Sequence, residues 1–544
     1  MRLNNIVFFL FLMIASQLRA SDTLVVQTFT FEDITKRRDV FSFPDDERTW
    51  EKILMIRTLK CDEKTTGDIY PCGEWDYSTS TFVHVPVGDT TELFELEGFV
   101  TPYGKGLNLG ENGWSFEYDV TDYAPLLRGD VDLSSGNNQE LLDVKFLFIE
   151  GTPPRNVLSV ENLYPWGSYK YQAVADEEVL TSQKILLNPN AAGFMLRARI
   201  SGHGHNGPRN CCEWDAKSHT YYVNKEVAFR WTVWKDCGMN PIYPQGGTWQ
   251  FDRAGWCPGT PLDVYDFELT EKAFPGDSIE IDYGIEMYRE NGEKNGNYRM
   301  SHQLFSYGPS NFNNDAAIVD ILAPTKKDVY RRINPIIKDP AIIVKNTGKY
   351  TIQTLRFKYG VKGVREKEFV WSGRLNFLNE ATIILPNLDW LAIKDNQQFY
   401  VKILETNGTV DEYAPNNLMT SEVNRPVSLP SEFKLHIRAN GLGRARDLSC
   451  TINDVNGAVL FERQQFEDDV IYMDPISLPK GLYEFNLADR MEDGMIRHWW
   501  NRGSDPDKIG RNGRVAIMDM KGNLIKELQY DFAQEIKLRF IVEE

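Results

Sequence analysis

The sequence predicts an all-β chain, on three observations. Short runs rich in Val, Ile, Thr, Tyr and Phe recur along its length. Gly, Asn, Asp and Pro break these runs, and sustained helical periodicity is scarce. β-branched and aromatic side chains suit a pleated, half-buried surface, and the breakers supply turns, so the pattern is that of antiparallel strands in sandwiches or jelly rolls. Of 544 residues, 42% are hydrophobic, 12% aromatic and 25% charged. That composition excludes a disordered or collagen-like chain. At roughly 100–200 residues per domain, three or four units are expected.

The first twenty residues, MRLNNIVFFLFLMIASQLRA, read as an export signal. Arg2 supplies the positive end, Ile6–Ala15 the apolar stretch and Ala20 a small-residue cleavage site. No Cys follows to carry a lipid, and no other segment is apolar enough to span a bilayer. The mature chain is therefore expected in the periplasm or outside the cell, off the membrane, where disulfides persist. Strand-like runs follow at Leu24–Phe31, Lys52–Leu59, Ser80–Pro86 and Asp143–Glu150. Further runs lie at Phe194–Ile200, Glu226–Trp234 and Ser278–Tyr288. Turn-forming clusters near Gly151–Pro154, Ala323–Lys327 and Asn424–Pro426 suggest boundaries between units. No short-period repeat supports a solenoid or propeller. With 60 basic against 78 acidic residues the net charge is −18. Such a chain repels phosphate backbones, which argues against a nucleic-acid partner.

Two segments concentrate chemistry: Cys61–Tyr77, and the stretch from His203 to Cys257. Each sets carboxylates beside Trp, as Glu74-Trp75-Asp76 and Glu213-Trp214-Asp215. A carboxylate among aromatics is partly desolvated, which lifts its pKa toward acid–base use. Trp and Tyr faces also suit sugar rings. The competing reading is buried Trp beside solvated acids. His203, His205 and His219 invite a metal reading, but Gly202 and Gly204 around His203 suggest a loop, and loosely spaced histidines are a weak ligand signal. No metal or other cofactor is expected. Of the 7 cysteines, Cys61 with Cys72 and Cys237 with Cys257 enclose short loops and read as bridges. Each would contribute about 2–3 kcal/mol by loop closure. Cys211, Cys212 and Cys450 cannot be paired from spacing.

At these residues the sequence resembles the peptide-N-glycosidase F family, bacterial peptide-N4-(N-acetyl-β-glucosaminyl)asparagine amidases. The resemblance is carried by Asp252–Gly259, with Cys237, Asn240-Pro241 and Gly246–Trp249 upstream. Ser201-Gly202-x-Gly204-His205, Cys211-x-Glu213-Trp214, His219, Cys72-x-Glu74-Trp75-Asp76 and Tyr118–Asp122 also fit. It spans roughly residues 22–325 and implies two adjacent eight-stranded antiparallel jelly rolls with the active site at their interface. It further implies hydrolysis of the amide between Asn and the innermost N-acetylglucosamine of an N-glycan, giving Asp and a glycosylamine. N-glycosylated proteins or glycopeptides would be the substrates of a monomer. By this resemblance Asp76 and Glu213 are the catalytic carboxylates, and Arg253, Trp75, Tyr77, His203 and His205 belong to the substrate site.

Departures from the family pattern are Tyr77 for an Arg, His203 for a sugar-contacting Trp, and Asp215 for the second Cys of a bridge to Cys211. A third family carboxylate meets Ser134–Gln139, which has no acid, although Asp132 and Glu140 flank it. These departures keep open an alternative, a glycan- or glycoprotein-binding protein that kept the fold without catalysis. A copper monooxygenase would need more clustered His and Met. Beyond 325, residues 340–423 resemble CARDB-like Ig sandwiches, and the last part resembles C-terminal β-sandwich modules of exported hydrolases. Adjacent Trp499 and Trp500 there are read mainly as core. Asp489, Asp493, Asp505 and Asp507 are read as a solvated loop rather than a Ca²⁺ site. The expected division is a signal peptide at 1–20, jelly rolls at 21–155 and 156–325, and accessory sandwiches at 326–427 and 428–544.

Overall fold

The computed structural model describes residues 23–33, 36–45, 47–61, 72–136, 141–205, 209, 211–287, 296–386, 388–496 and 510–543. The segment 1–20 expected to direct export, Glu140, Trp499, Trp500, Asp505 and Asp507 lie outside the described residues. Strands dominate, and no helix is long and apolar enough to cross a membrane. Period-two alternation decides which face of each strand is buried. In Leu141–Glu150, for example, Leu142, Val144, Phe146 and Phe148 all turn into the core.

The first eight strands form two sheets. One runs Thr23–Gln27, Leu141–Glu150, Trp50–Lys60, Trp114–Asp119. The other runs Thr90–Val100, Ser78–Val87, Gly129–Ser135, Arg38–Phe43, and Thr260–Pro261 from later in the chain extends it beside Thr90–Val100. The next sandwich also has two four-stranded sheets. Val264–Glu268, Gly193–His203, Asn297–Ser310 and Arg155–Lys170 make one. Gln183–Leu186, Ser278–Ile285, Lys217–Val223 and Glu226–Val233 make the other. These are the two adjacent antiparallel jelly rolls expected.

The strand Asn297–Ser310 is buried almost throughout because both its faces are covered. Tyr298, Met300 and Leu304 belong to the second core, while Phe305 and Tyr307 pack into the first. Polar groups stitch the same seam. Arg199 donates to the Leu96 carbonyl at 2.7 Å and the Tyr123 hydroxyl at 2.9 Å, and Tyr123 donates to Gln303 Oε1 at 2.6 Å. Glu95 accepts from Ser80 at 2.6 Å and from Ser301, across the seam, at 2.5 Å. The jelly rolls therefore meet through hydrogen-bonded buried polar groups, which fix one relative placement more sharply than apolar contact does.

Residues beyond the jelly rolls build two more sandwiches. Ala316–Ala323, which precedes the boundary expected near 325, hydrogen-bonds to Ala341–Asn346 and packs into the third core with Phe357, Trp390 and Phe399. The fourth core gathers Phe433, Phe485, Val515 and Phe540. Its strand Val427–Leu429 runs parallel to the closing strand Glu535–Val542.

A buried ion pair offers a test of the first jelly roll. Arg57 Nη1 donates to Glu97 Oε1 at 2.8 Å, and both side chains are essentially inaccessible. Glu97→Leu removes this counter-charge and is expected to cost about 3–5 kcal/mol, much of it recovered in Arg57→Met/Glu97→Leu. Urea unfolding midpoints of the three proteins check this.

Candidate active site

Just past the Cys61–Cys72 bridge, residues 73–77 lead into the strand Ser78–Val87. The Tyr77 amide donates to Thr101 Oγ1 at 2.8 Å, and the Thr101 amide to the Tyr77 carbonyl at 2.9 Å. Gly104 backs this turn so closely that a Cβ there would collide with the Gly73 carbonyl. Pinned at both ends, the turn exposes the rings of Trp75 (47%) and Tyr77 (37%) and draws Asp76 between them inward.

Glu213 comes from the second jelly roll. Its amide donates to the Gly204 carbonyl and its carbonyl accepts from Ala254, each at 2.9 Å. Ala254 in turn accepts from Gly202 at 2.9 Å, where a Cβ would collide with the Cys212 carbonyl. Cys211, whose pairing the spacing leaves open and whose usual family partner is replaced by Asp215, is joined to its neighbour Cys212. The bridge Cys237–Cys257 closes the loop that carries Arg253.

Arg253 is fully buried. Its Nε donates to Glu213 Oε1 at 3.2 Å and its Nη1 to the Phe251 carbonyl at 2.6 Å. Nη2 donates to the Thr248 carbonyl at 2.7 Å and the Thr248 hydroxyl at 2.9 Å. The guanidinium also lies against two indoles, 4.3 Å from Trp214 and 4.8 Å from Trp256. A buried cation is tolerable because acceptors and ring faces replace water.

Asp76, Glu213 and Arg253 share one electrostatic environment. Burial pushes the Asp76 carboxyl up to about 6. The Arg253 charge opposes that rise, Glu213 adds to it, and the Asp76 amide and Tyr103 hydroxyl pull against it. Glu213 is likewise raised, mainly by burial, with Arg253 opposing through both charge and hydrogen bond. The structure thus brings together the two carboxylates and the arginine singled out in the sequence.

His203 is not in a loop. It ends the strand Gly193–His203, opposite Asn297, because the ladder to the neighbouring strand continues through both Gly202 and His203. Its ring stacks on Trp256 with centroids 5.3 Å apart, and its Nε2 contacts Ser201 Oγ at 2.9 Å. Burial, then Arg299 and Arg253, lower its pKa to about 3. His205 is exposed, near enough to Glu213 to favour that carboxylate's charge. His219 lies elsewhere, in the second core, sharing a 2.5 Å hydrogen bond with Tyr283 and stacked on Trp231. These three histidines therefore do not converge as ligands. Among the described residues, the one ligand-like acidic group is Asp236, Asp252 and Glu492. There Asp252 accepts from the Cys237 amide and Asp236 from the Gly238 amide.

A cleft of about 340 Å³ opens along the seam beside Ser78, lined by Ser80, Glu95, Ser134, Trp166 and Arg299 among others. Asp132, a flanking candidate for the third acid, is instead paired with Arg38 at 2.7 Å. The acid that does line the cleft is Glu95, raised by burial. Sequence reasoning missed Glu95, Tyr103 and Thr248. Nothing local marks a Tyr after Pro102 or a Thr inside a loop, and only the fold sets them beside Asp76 and Arg253.

The low pKa of His203 predicts a neutral imidazole between about pH 5 and pH 8. Ring ¹⁵N shifts followed through a pH titration check this.

The family model described as "Peptide-N-glycosidase F, C terminal" matches residues 170–305. Peptide-N(4)-(N-acetyl-beta-D-glucosaminyl)asparagine amidase F of Elizabethkingia miricola is 31% identical over 298 residues, covering 51% of this chain and 80% of that protein. A crystal structure of a peptide-N(4)-(N-acetyl-beta-D-glucosaminyl)asparagine amidase is 27% identical, covers 53% of this chain and 98% of its own, and has a TM-score of 0.46. The structure of PNGase F, a glycosylasparaginase from Flavobacterium meningosepticum, is 27% identical over 53% of this chain and 96% of its own, with a TM-score of 0.45.

Proposed function

The chain belongs to the peptide-N-glycosidase F family, and from that membership and the geometry of its site we infer that it is an amidase acting on N-glycosylated proteins or glycopeptides. It hydrolyses the amide between Asn and the innermost N-acetylglucosamine. The observation that carries this reading is the convergence of Asp76, Glu213 and Arg253 at the seam between the jelly rolls.

Amide hydrolysis needs an oriented water, a group to take its proton, and a proton for the departing nitrogen. In our reading Asp76, ionised above about pH 6, orients the water and takes its proton as the C–O bond forms. The C–N bond then breaks, and the proton passes to the leaving nitrogen through Glu213. The products are aspartate and a glycosylamine, with no net proton gained or lost in the exchange itself. Burial strengthens both carboxylates as bases by raising their pKa values toward neutrality. Arg253 is enclosed and engaged by Glu213, Phe251 and Thr248, which favours a holding role for it over direct capture of the substrate oxyanion.

The exposed rings of Trp75 and Tyr77 supply apolar faces for sugar beside the carboxylates. His203 is neutral and smaller than indole, and Tyr77 brings no fixed charge, so the entrance is wider and less basic than in the family pattern. We read this as room for a substituted innermost sugar. His205, exposed beside Glu213, is placed to meet the peptide or glycan at the rim. The apolar segment 1–20 and the disulfides among the described residues support export to an oxidising compartment.

Asp76→Asn keeps shape and removes the base, so kcat is expected to fall by about 10²–10⁴-fold with an unchanged melting profile. Mass spectrometry of the Asn-to-Asp conversion in a denatured glycoprotein, with and without core fucose, reads it. No conversion by the unaltered protein on any substrate overturns the amidase reading. Because the raised carboxyl must be ionised to act, kcat/KM is expected to fall on acidification through about pH 6, which a pH–rate profile tests.

A further inference from the structure

The loop that holds Arg253 is gripped from outside the two jelly rolls. The Trp249 indole N–H donates to Asp531 Oδ1 of the fourth sandwich at 3.1 Å, across 282 positions of chain. Both side chains are buried, Trp249 completely. Trp249 packs with Tyr103 and Ala533, and Tyr243 stacks on it with centroids 6.3 Å apart.

Arg332, between the third-sandwich strands Ala316–Ala323 and Ala341–Asn346, spans the same junction. It donates to the Asn240 carbonyl at 2.9 Å on the loop side, and to the Phe532 and Glu535 carbonyls at 3.0 and 2.8 Å on the other. Arg331 and Arg332 each lie 3.9 Å from the Tyr243 ring. The Gln534 amide reaches the Gly238 carbonyl at 3.3 Å. Trp249 directly follows Thr248, whose carbonyl and hydroxyl both accept from Arg253 Nη2.

We propose that the fourth sandwich is a working part of the active site, and that Asp531 is a positioning residue acting through Trp249 and Thr248 on Arg253 and Glu213. The proposal rests on the amidase reading for its kinetic consequence but not for its structural one. A buried guanidinium that loses Thr248 must seek other acceptors, and a shift away from Glu213 changes the field at both carboxylates. The last sandwich is then not an independent appendage. It converts contact at its closing loop into the placement of a group inside the catalytic unit.

The test compares Asp531→Leu, Asp531→Asn and Trp249→Phe in the full chain. Leu removes the acceptor, Asn keeps an acceptor oxygen, and Phe removes the donor and part of the ring while keeping an aromatic face. Asp531→Leu is expected to lower kcat by up to about 10²-fold, with KM changed by no more than about twofold. Because Arg253 lowers the Asp76 pKa, its withdrawal moves the acid limb of the pH profile upward. Asp531→Asn restores most of both. Hydrogen–deuterium exchange in residues 238–253 rises in the Leu variant and not in the Asn variant. A folded Asp531→Leu with unchanged exchange, or with lost activity but an unmoved acid limb and no rescue by Asn, overturns the proposal. If Asp531→Leu does not fold, Trp249→Phe must show the same exchange and pH shift, and its failure to do so overturns the proposal equally. The exchange readout needs no substrate, so it stands apart from failure of the amidase reading.

Discussion

A guanidinium that has left water must be surrounded by acceptors, and Arg253 is so surrounded. Most of the site follows from that constraint. The carbonyls of Thr248 and Phe251 have to face inward, so the loop between Cys237 and Cys257 must curl around the side chain. Glu213 must stand beside it, so the segment after Cys212 is laced to Gly204 and Ala254. Two indoles close the remaining sides. The arginine is the post around which two segments are wound.

Desolvation sets the proton affinity of the two carboxylates. Asp76 and Glu213 are both raised by burial, and both are restrained by the same cation. A freely solvated carboxylate is too weak a base to draw a proton from water near neutrality, and an unopposed buried one would stay protonated. The balance between burial and Arg253 leaves Asp76 titrating near 6. The same logic silences His203, whose imidazole is buried among cations and so serves as a neutral polar ring.

Much of this was legible in the sequence. Alternating runs announced strands because a sheet with one wet face imposes a period of two. The bridges Cys61–Cys72 and Cys237–Cys257 were legible because each closes a short local loop. Where reading failed, a longer-range interaction had overruled a local signal. Gly202 and Gly204 suggested a loop at His203, yet Gly202 is there to let the Cys212 carbonyl approach a strand. Spacing leaves Cys211 and Cys212 unassigned, because a bridge between neighbours closes no loop that a sequence pattern could show. His219 looked available to a metal, whereas its strand turns it into the aromatic core of the second jelly roll.

The family resemblance picks out Asp76, Glu213 and Arg253, whereas the sequence by itself determined the β architecture, the two stapled segments and the two carboxylate–Trp clusters. These depend on periodicity, short loops and dense local motifs, all of which are local along the chain. Only the tertiary structure decided that Tyr103 faces Asp76, that Thr248 and Phe251 enclose Arg253, that Glu95 lines the cleft, and that Asp531 reaches Trp249. The Arg253 contacts depend on how its own loop closes, and the others on where separately built sheets come to rest against one another. That placement is set by the shape and polarity of buried seams, which no single segment carries.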